Sequence, residues 1–180
     1  REDDIRECIG CNICASCYNQ GIPVRCTQNP SMGEEWRRGW HPERIKPKSS
    51  EDSILVIGGG PAGLEATLSL ARRGYSVAIA DSEKELGGRI NMESKLPGMS
   101  SYKRVTDYRL NQINQLDNIE VYLDNTLSSD DVLELGFDHV VTATGSSWQP
   151  TIMDEKSAPV FVTKTDTIFT PEDILNGCDL

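Results

Sequence analysis

Four cysteines lie within ten residues near the start of the chain, in the stretch CIGCNICASC at positions 8 to 17. Such a cluster is typical either of a disulfide framework in a small secreted domain or of thiolate ligands for a metal centre. The sequence has neither a signal segment nor an apolar run of 18 residues, and a nucleotide-binding pattern follows. We therefore expect reduced, cytoplasmic thiols that bind a metal.

The spacing of the cysteines favours one kind of metal centre. Cys8, Cys11 and Cys14 are separated by two residues each, and Cys26 follows after eleven more. Three close thiolates and one distant thiolate suit a 4Fe-4S cluster, in which each iron takes one thiolate. Structural zinc more often uses two separated pairs of cysteines, or a pair with histidines, and it stays open as the alternative. We interpret Cys17 as a spare thiol that could replace a neighbouring ligand.

A second chemical site is indicated by SILVIGGGPAGLEATLSLARRGYSVAIAD at residues 53 to 81, which predicts a strand, a glycine turn, a helix and a second strand. Gly58, Gly60 and Gly63 fill the G-x-G-x-x-G pattern of dinucleotide sites. The first glycine makes the tight turn, the second admits the pyrophosphate, and the third lets the helix pack on the strand. Asp81 ends the second strand, where its carboxylate can accept both hydroxyls of an adenosine ribose and repel a 2′-phosphate.

Other small or basic residues are predicted to complete this nucleotide site. The two glycines of ELGGR allow a close backbone approach, and the arginine after them could reach a phosphate or lie solvated at the surface. A later pair of small residues, after the strand predicted at 140–143, would let the chain pass beneath a dinucleotide. The predicted cofactor-binding residues are Gly58, Gly60, Pro61, Ala62, Gly63, Asp81, Ser82, Gly88, Arg89, Thr144 and Gly145.

These elements predict an α/β fold, an incomplete Rossmann-like FAD/NAD(P)-binding domain preceded by a loop-rich iron-sulfur segment. We assign residues 1–50 to the cluster segment and a linker and 51–150 to the nucleotide-binding domain, and the family resemblance given below implies that 151–180 is the start of a connection to a further nucleotide-binding domain. RVTDYRLNQINQL is predicted as a covering helix, and NIEVYLD as a strand. Because the sheet is unfinished, we interpret the sequence as a fragment.

The charge distribution limits the partners that the sequence predicts. Residues 1–50 hold eight Lys and Arg against seven Asp and Glu, and residues 51–180 hold ten against 21, within a net charge of −10. An acidic surface argues against binding to nucleic acid or to anionic membranes. Protein partners and small cofactors remain as candidates, and assembly into a homo-oligomer stays open.

Six stretches together resemble a known family. CIGCNIC, CTQNP, GEEWRRGWHPE, GGGPAGLEA, ELGGR and VVTATG follow one another in the order found in the iron-sulfur flavoproteins of the trimethylamine dehydrogenase and dienoyl-CoA reductase family. The resemblance covers nearly the whole chain. It implies an FMN-carrying barrel before these residues and a second nucleotide-binding domain after them. It also implies that the four cysteines named above hold the cluster, and that Gly58, Gly60, Gly63 and Asp81 hold the ADP part of a cofactor.

The resemblance favours the amine dehydrogenase branch, because the third cysteine of reductases usually follows the second after three residues, where this chain has Ala15. That branch implies oxidation of an N-methylated amine at FMN, electron transfer through the cluster to an electron-transferring flavoprotein, and FAD or ADP in the nucleotide site. We expect this chain alone to be inactive. The first alternative is an NAD(P)H-dependent enoyl or dienoyl reductase with the opposite electron flow, and the second is a zinc-stabilised nucleotide-binding module without enzymatic activity.

Overall fold

The computed structural model describes residues 4–39, 44–148, 151–153, 159–161 and 169–177. The chain divides into two compact units, Arg1–Thr144 and Gly145–Leu180. The helices are α1 Ile13–Asn19, α2 Pro61–Arg73, α3 Ile90–Glu93, α4 Arg104–Ile113, α5 Ser129–Glu134 and α6 Pro171–Leu175, with a 3₁₀ turn at Ser100–Lys103. The strands are β1 Ser53–Ile57, β2 Ser76–Ala80, β3 Ile119–Tyr122, β4 His139–Thr142, β5 Thr151–Met153 and β6 Pro159–Phe161.

The first unit contains a four-stranded parallel sheet in the order β3-β2-β1-β4. Helix α2 connects β1 to β2, and α3 and α4 lie between β2 and β3 in the sequence, as parallel strands require long crossover connections. In the register, Ile57 lies opposite both Ala80 and Thr142. The carboxyl ends of β1, β2 and β4 therefore meet at one edge of the sheet, and the predicted α/β fold is confirmed.

The main core lies between the sheet and helices α2 and α4. Apolar residues at helical spacing in α2, Leu64 and Leu68, are at most 1% exposed, and Val56 and Ile79 of the sheet are fully buried. Burying a side chain of this size stabilises the fold by roughly 1.5–3 kcal/mol. Helix α2 ends at Arg73 and is followed by its C-cap residue Gly74, whose φ of 98° gives the left-handed conformation that terminates helices.

Residues 46–50, at the end of the segment assigned to the cluster and a linker, contact the nucleotide-binding domain. The N–H of Lys48 donates to the carbonyl of Arg73 at 2.7 Å, and the N–H of Ser49 donates to the hydroxyl of Tyr75 at 3.4 Å. The chain thus enters β1 from the C-terminal end of α2.

The second unit contains a short antiparallel pair, β5 with β6, and helix α6. Thr170 caps α6 by accepting the N–H of Asp173, whose carboxylate accepts the N–H of Thr170 in return. Pro171 begins this helix, at a position where its missing N–H leaves no helical hydrogen bond unmade. Residues 154–158, 162–168 and 178–180 lie outside the described part of the chain, and our domain boundaries stay predictions. None of the described helices combines the length and the apolar character needed to cross a bilayer.

Candidate functional site

The three predicted glycines occupy three different environments at the turn between β1 and α2. Gly58 has a φ of 103°, and a Cβ there would lie 2.3 Å from the carbonyl oxygen of Ala143, which follows β4. A Cβ on Gly63 would lie 1.8 Å from the carbonyl oxygen of Gly58. At Gly60 a Cβ would meet no atom within 4 Å. The geometry thus shows a tight turn at Gly58, close helix packing at Gly63 and an open position at Gly60. That the open position admits a pyrophosphate stays a prediction.

The N-terminus of α2 opens at this turn and is suited to bind an anion. Gly60 is its N-cap residue and provides no side chain, and Pro61, which lacks an N–H, is the first helical residue. The first bond within the helix runs from the N–H of Leu64 to the carbonyl of Gly60 at 2.9 Å. The backbone N–H groups of Ala62 and Gly63 precede that bond, at the end of the helix where the dipole is positive. Such a helix end binds phosphate groups.

Asp81, predicted to hold the ribose, is 8% exposed and lies directly after β2. One carboxylate oxygen accepts the N–H of Gly59, and the other accepts the N–H of Glu83 at 2.8 Å. Each carboxylate oxygen has a second lone pair, so ribose hydroxyls can still donate to it. The bond to Gly59 was missed in the sequence, although parallel strands that end at one edge of a sheet bring such residues together.

The ELGGR loop contacts the glycine turn. The N–H of Gly87 donates to the carbonyl of Gly59 at 2.8 Å, and a Cβ on Gly88 would lie 3.0 Å from the Cα of Gly60. Arg89 forms an ion pair with Glu93 at 3.7 Å, one turn later in α3. The structure therefore brings Gly88 to the turn, while Arg89 has a partner on its own helix.

The remaining predicted cofactor residues follow the ends of β2 and β4. Ser82 is exposed directly after Asp81. The backbone nitrogen of Thr144 lies 3.0 Å from the position of a Cβ on Gly58, so Thr144 adjoins the glycine turn. Gly145, with a φ of 77°, begins the second unit. The roles of these residues in cofactor binding stay predictions.

The cysteine segment forms a turn followed by a short helix. Gly10 and Asn12 have φ values of 70° and 58°, so the chain turns between the first two cysteines and enters α1. Cys14 and Cys17 both lie on α1. Cys8 is exposed; Cys11, Cys14 and Cys26 are half-buried; and Cys17 is buried, with 5% exposure. The burial of Cys17 distinguishes it from the four predicted ligands.

Three of the four predicted ligand sulfurs have hydrogen-bond partners. The N–H of Gly10 donates to the sulfur of Cys8 at 3.3 Å, and the N–H of Gln28 donates to that of Cys26 at 3.3 Å. The sulfur of Cys11 lies 3.2 Å from the hydroxyl oxygen of Thr27. This hydroxyl, followed by the backbone N–H of Ile13, lowers the pKa of the Cys11 thiol below its ordinary value.

This donor set fits an iron-sulfur cluster in its chemistry, because the ligands of a cluster are thiolates, and hydrogen bonds to the sulfurs set its potential. Zinc needs its ligands within about 2.3 Å of one point. Among the residues that the structure describes, no group of three or more His, Cys, Asp or Glu is arranged to hold a metal ion. The cluster on Cys8, Cys11, Cys14 and Cys26 therefore stays a prediction.

The cysteine segment is held against the start of helix α4. Arg104 donates to the carbonyl of Cys8 at 2.7 Å and lies 3.2 Å from the carboxylate of Glu7. The hydroxyl of Ser101 donates to the carbonyl of Ile9 at 3.0 Å, and Ile9 is 5% exposed. The sequence predicted α4 only as a covering helix. The structure adds that its first turn positions the backbone at the first cysteine.

A parallel sheet whose glycine turn leads into an uncapped helix N-terminus, with an acid at the end of the next strand, defines a dinucleotide-binding α/β protein. The class is confirmed by sequence comparison. The chain belongs to the family of pyridine nucleotide-disulphide oxidoreductases, whose sequence pattern matches residues 52–172.

Relatives extend the similarity beyond this domain. The chain is 39% identical over 186 residues to dimethylamine dehydrogenase of Hyphomicrobium sp. (strain x), covering 98% of this chain and 25% of the relative. The structure of histamine dehydrogenase from Rhizobium sp. 4-9 is 48% identical with a TM-score of 0.87, covering 97% of this chain and 25% of that one. The structure of 6-hydroxypseudooxynicotine amine oxidase (HisD) from Pseudomonas geniculata N1 is 46% identical with a TM-score of 0.81, and the match covers 98% of this chain and 27% of that one.

The resemblance to the amine dehydrogenase branch is thus confirmed. The similarity includes the cysteine segment, since each of these alignments covers nearly the whole chain. The chain spans about a quarter of the length of these relatives.

Proposed function

We propose that this chain is the electron-transfer and nucleotide-binding part of an iron-sulfur flavoprotein that oxidatively demethylates N-methylated amines. The observation that carries the proposal is the position of the two sites in one compact unit, Arg1–Thr144, where α4 contacts the cysteine segment and also packs on α2. The names of the relatives, a dimethylamine dehydrogenase, a histamine dehydrogenase and an amine oxidase, support amine oxidation, and the first of them supports an N-methylated substrate.

The cysteine segment is proposed to hold a 4Fe-4S cluster through Cys8, Cys11, Cys14 and Cys26. When bound, such a cluster stores and passes on single electrons. The residues of the chain supply the thiolates, and the N–H groups of Gly10 and Gln28 and the hydroxyl of Thr27 stabilise negative charge on three of them. The FMN and the amine site of the whole enzyme belong, in this proposal, to a barrel outside these residues.

The glycine turn is proposed to hold the ADP part of FAD, or ADP itself. The open position at Gly60 admits the pyrophosphate, and the N–H groups at the start of α2 face its negative charge. Asp81 binds the ribose hydroxyls and keeps its hydrogen bond to Gly59, so it orients nucleotide and turn together. An electron-transferring flavoprotein is the proposed acceptor of the electrons.

The test is an anaerobic absorption spectrum of the purified chain, with iron, sulfide and zinc assayed on the same sample. We expect broad absorbance that dithionite bleaches, with about four iron and four sulfide per chain. Cys14→Ser should lose this absorbance, and Cys17→Ser, a change on the same helix, should keep it. A colourless chain with one zinc would overturn the proposal in favour of the nucleotide-binding module.

Two additions to the same sample test the activity and the direction of electron flow. Dimethylamine should not bleach the sample, because the chain alone is proposed to lack the amine site. If NADH or NADPH bleaches it instead when FAD is present, the electron flow is that of the reductase alternative.

A further inference from the structure

We infer that Arg109 is a positioning residue that holds the Cys26 end of the cysteine segment against helices α2 and α4. The inference rests on the proposed function, in which Cys26 is a cluster ligand. In this role the nucleotide-binding domain orients the backbone N–H of Gln28, next to Cys26, which is the predicted ligand farthest along the sequence from the other three. The nucleotide-binding fold itself does not require this contact.

Arg109 is a buried cation, with 6% exposure, in the middle of α4. Its Nε donates to the carboxylate of Glu65 on α2 at 2.7 Å, and one terminal nitrogen donates to the carbonyl of Val105 at 2.6 Å. The same terminal nitrogen lies 3.4 Å from the side-chain oxygen of Gln28. A buried charge must be paired to be tolerated, and Glu65 provides that pairing. The guanidinium is thereby fixed with one edge toward Gln28.

Gln28 is the residue through which Arg109 acts. It is 5% exposed, and its backbone N–H donates to the sulfur of Cys26 at 3.3 Å. Its backbone carbonyl accepts from Arg6 at 2.7 Å, and Arg6 also lies 3.6 Å from Glu65 and stacks over the ring of Tyr108 at 4.8 Å. Contacts on the side chain and on the carbonyl together fix the orientation of Gln28, and so keep its N–H directed at the sulfur.

The arrangement joins the two ends of the predicted ligand set to one helix. Arg104 in the first turn of α4 contacts the carbonyl of Cys8, and Arg109, five residues later, contacts Gln28 beside Cys26. Groups that orient metal ligands without touching the metal typically change metal affinity by 10–100-fold when they are removed. Arg109 therefore has a specific role beyond joining α2 to α4.

The experiment uses the full chain, reconstituted anaerobically with iron and sulfide, in the variants Arg109→Met, Arg109→Lys and Gln28→Leu. The control is Arg72→Met. Arg72 also joins α2 to α4, donating to Gln112 at 2.5 Å, but it is exposed, and its hydrogen bonds run to Tyr108 and Gln112 of α4. Three quantities are measured: the rate of iron release to a chelator, the electron paramagnetic resonance spectrum of the reduced cluster, and the affinity for ADP.

We expect Arg109→Met to release iron about tenfold faster than the unmodified chain and to shift the g values in the electron paramagnetic resonance spectrum of the reduced cluster. Gln28→Leu should change the release rate and the spectrum in the same direction. Arg109→Lys should change them less than Arg109→Met does, because it keeps the charge. ADP affinity should be unchanged in every variant, and Arg72→Met should match the unmodified chain. A general loss of stability would not shift the resonances of clusters that remain intact.

The inference is overturned if Arg109→Met and Gln28→Leu keep the release rate and the spectrum of the unmodified chain. If Arg109→Met loses ADP binding, its fold is lost, and Gln28→Leu, which leaves the Arg109–Glu65 pair in place, decides alone. If the unmodified chain takes up no cluster, the proposed function fails and the inference fails with it. A cluster in the unmodified chain with no effect of the variants overturns the inference only.

Discussion

The carboxylate of Asp81, at the end of β2, accepts the backbone N–H of Gly59, in the turn that follows β1. The two residues are 22 positions apart in the sequence and adjacent at the edge of the parallel sheet. An ionised carboxylate bound to a backbone N–H makes one of the stronger hydrogen bonds in proteins. The acid that is proposed to bind the ribose therefore also fixes the turn that is proposed to bind the pyrophosphate.

The first prediction concerns the charge of Asp81. Asp81→Asn keeps the size of the side chain but removes the charge that accepts the ribose hydroxyls and the N–H of Gly59. We expect the affinity for ADP, measured by titration calorimetry, to fall about tenfold, which corresponds to one charge-assisted hydrogen bond of about 1.5 kcal/mol. Asp138→Asn, which alters an acid beside the first residue of β4, should leave the affinity unchanged. Equal affinities for all three proteins would contradict the role of Asp81.

The second prediction distinguishes the packing role of Gly63 from the proposed nucleotide-binding role of Gly60. Gly63→Ala places a Cβ against the carbonyl oxygen of Gly58, a backbone atom that cannot move without shifting β1. We expect it to lower the free energy of unfolding by about 1–3 kcal/mol. Gly60→Ala meets no atom of the protein within 4 Å and should leave stability nearly unchanged while weakening ADP binding. Denaturant unfolding and calorimetry on both variants check the pair, and a stable Gly63→Ala protein would contradict the close packing of α2 on β1.

Local sequence patterns predicted most of the fold. Apolar spacing in α2, with Leu64 and Leu68, and the glycine that ends this helix indicated an element that the structure confirms. The roles of Gly58 and Gly63 were also accessible, because a tight turn and close packing both require a residue without a side chain. These features depend on residues that are close to one another in the sequence.

Contacts between distant residues could not be predicted in this way. The bond from Arg104 to the carbonyl of Cys8 joins positions 96 residues apart, and the contact from Arg109 to Gln28 joins positions 81 apart. Arginines on a predicted helix are usually part of its solvated face, and the sequence does not reveal which one turns inward. Arg89 pairs with Glu93, because residues four apart are adjacent on a helix, and its contact with a phosphate stays a prediction.

The third prediction compares two buried threonines. The side chains of Thr67 on α2 and Thr106 on α4 are both fully buried. Within the described structure, the hydroxyl of Thr67 has no hydrogen-bond partner, whereas that of Thr106 donates to the carbonyl of Lys103 at 2.9 Å. Thr67→Val should therefore raise the free energy of unfolding by about 1 kcal/mol, and Thr106→Val should lower it by about 1 kcal/mol. Denaturant unfolding measures both, and a destabilised Thr67→Val protein would show that this hydroxyl is bonded.

The fourth prediction concerns acid stability. The N–H and hydroxyl of Ser53 both donate to the carboxylate of Asp138 at 2.8 Å, and they lower the pKa of this group. Because the folded pKa lies below the unfolded value of about 3.9, the stabilisation is fully present above that value and is lost as the pH falls through the folded pKa. Asp138→Asn should thus lower the free energy of unfolding near neutral pH and flatten its decline below about pH 4, measured by denaturant unfolding at several pH values. Asp117→Asn, in the exposed turn before β3, is the control. An unchanged acid profile for Asp138→Asn would show that the bond between Ser53 and Asp138 does not hold the start of β1 to the start of β4.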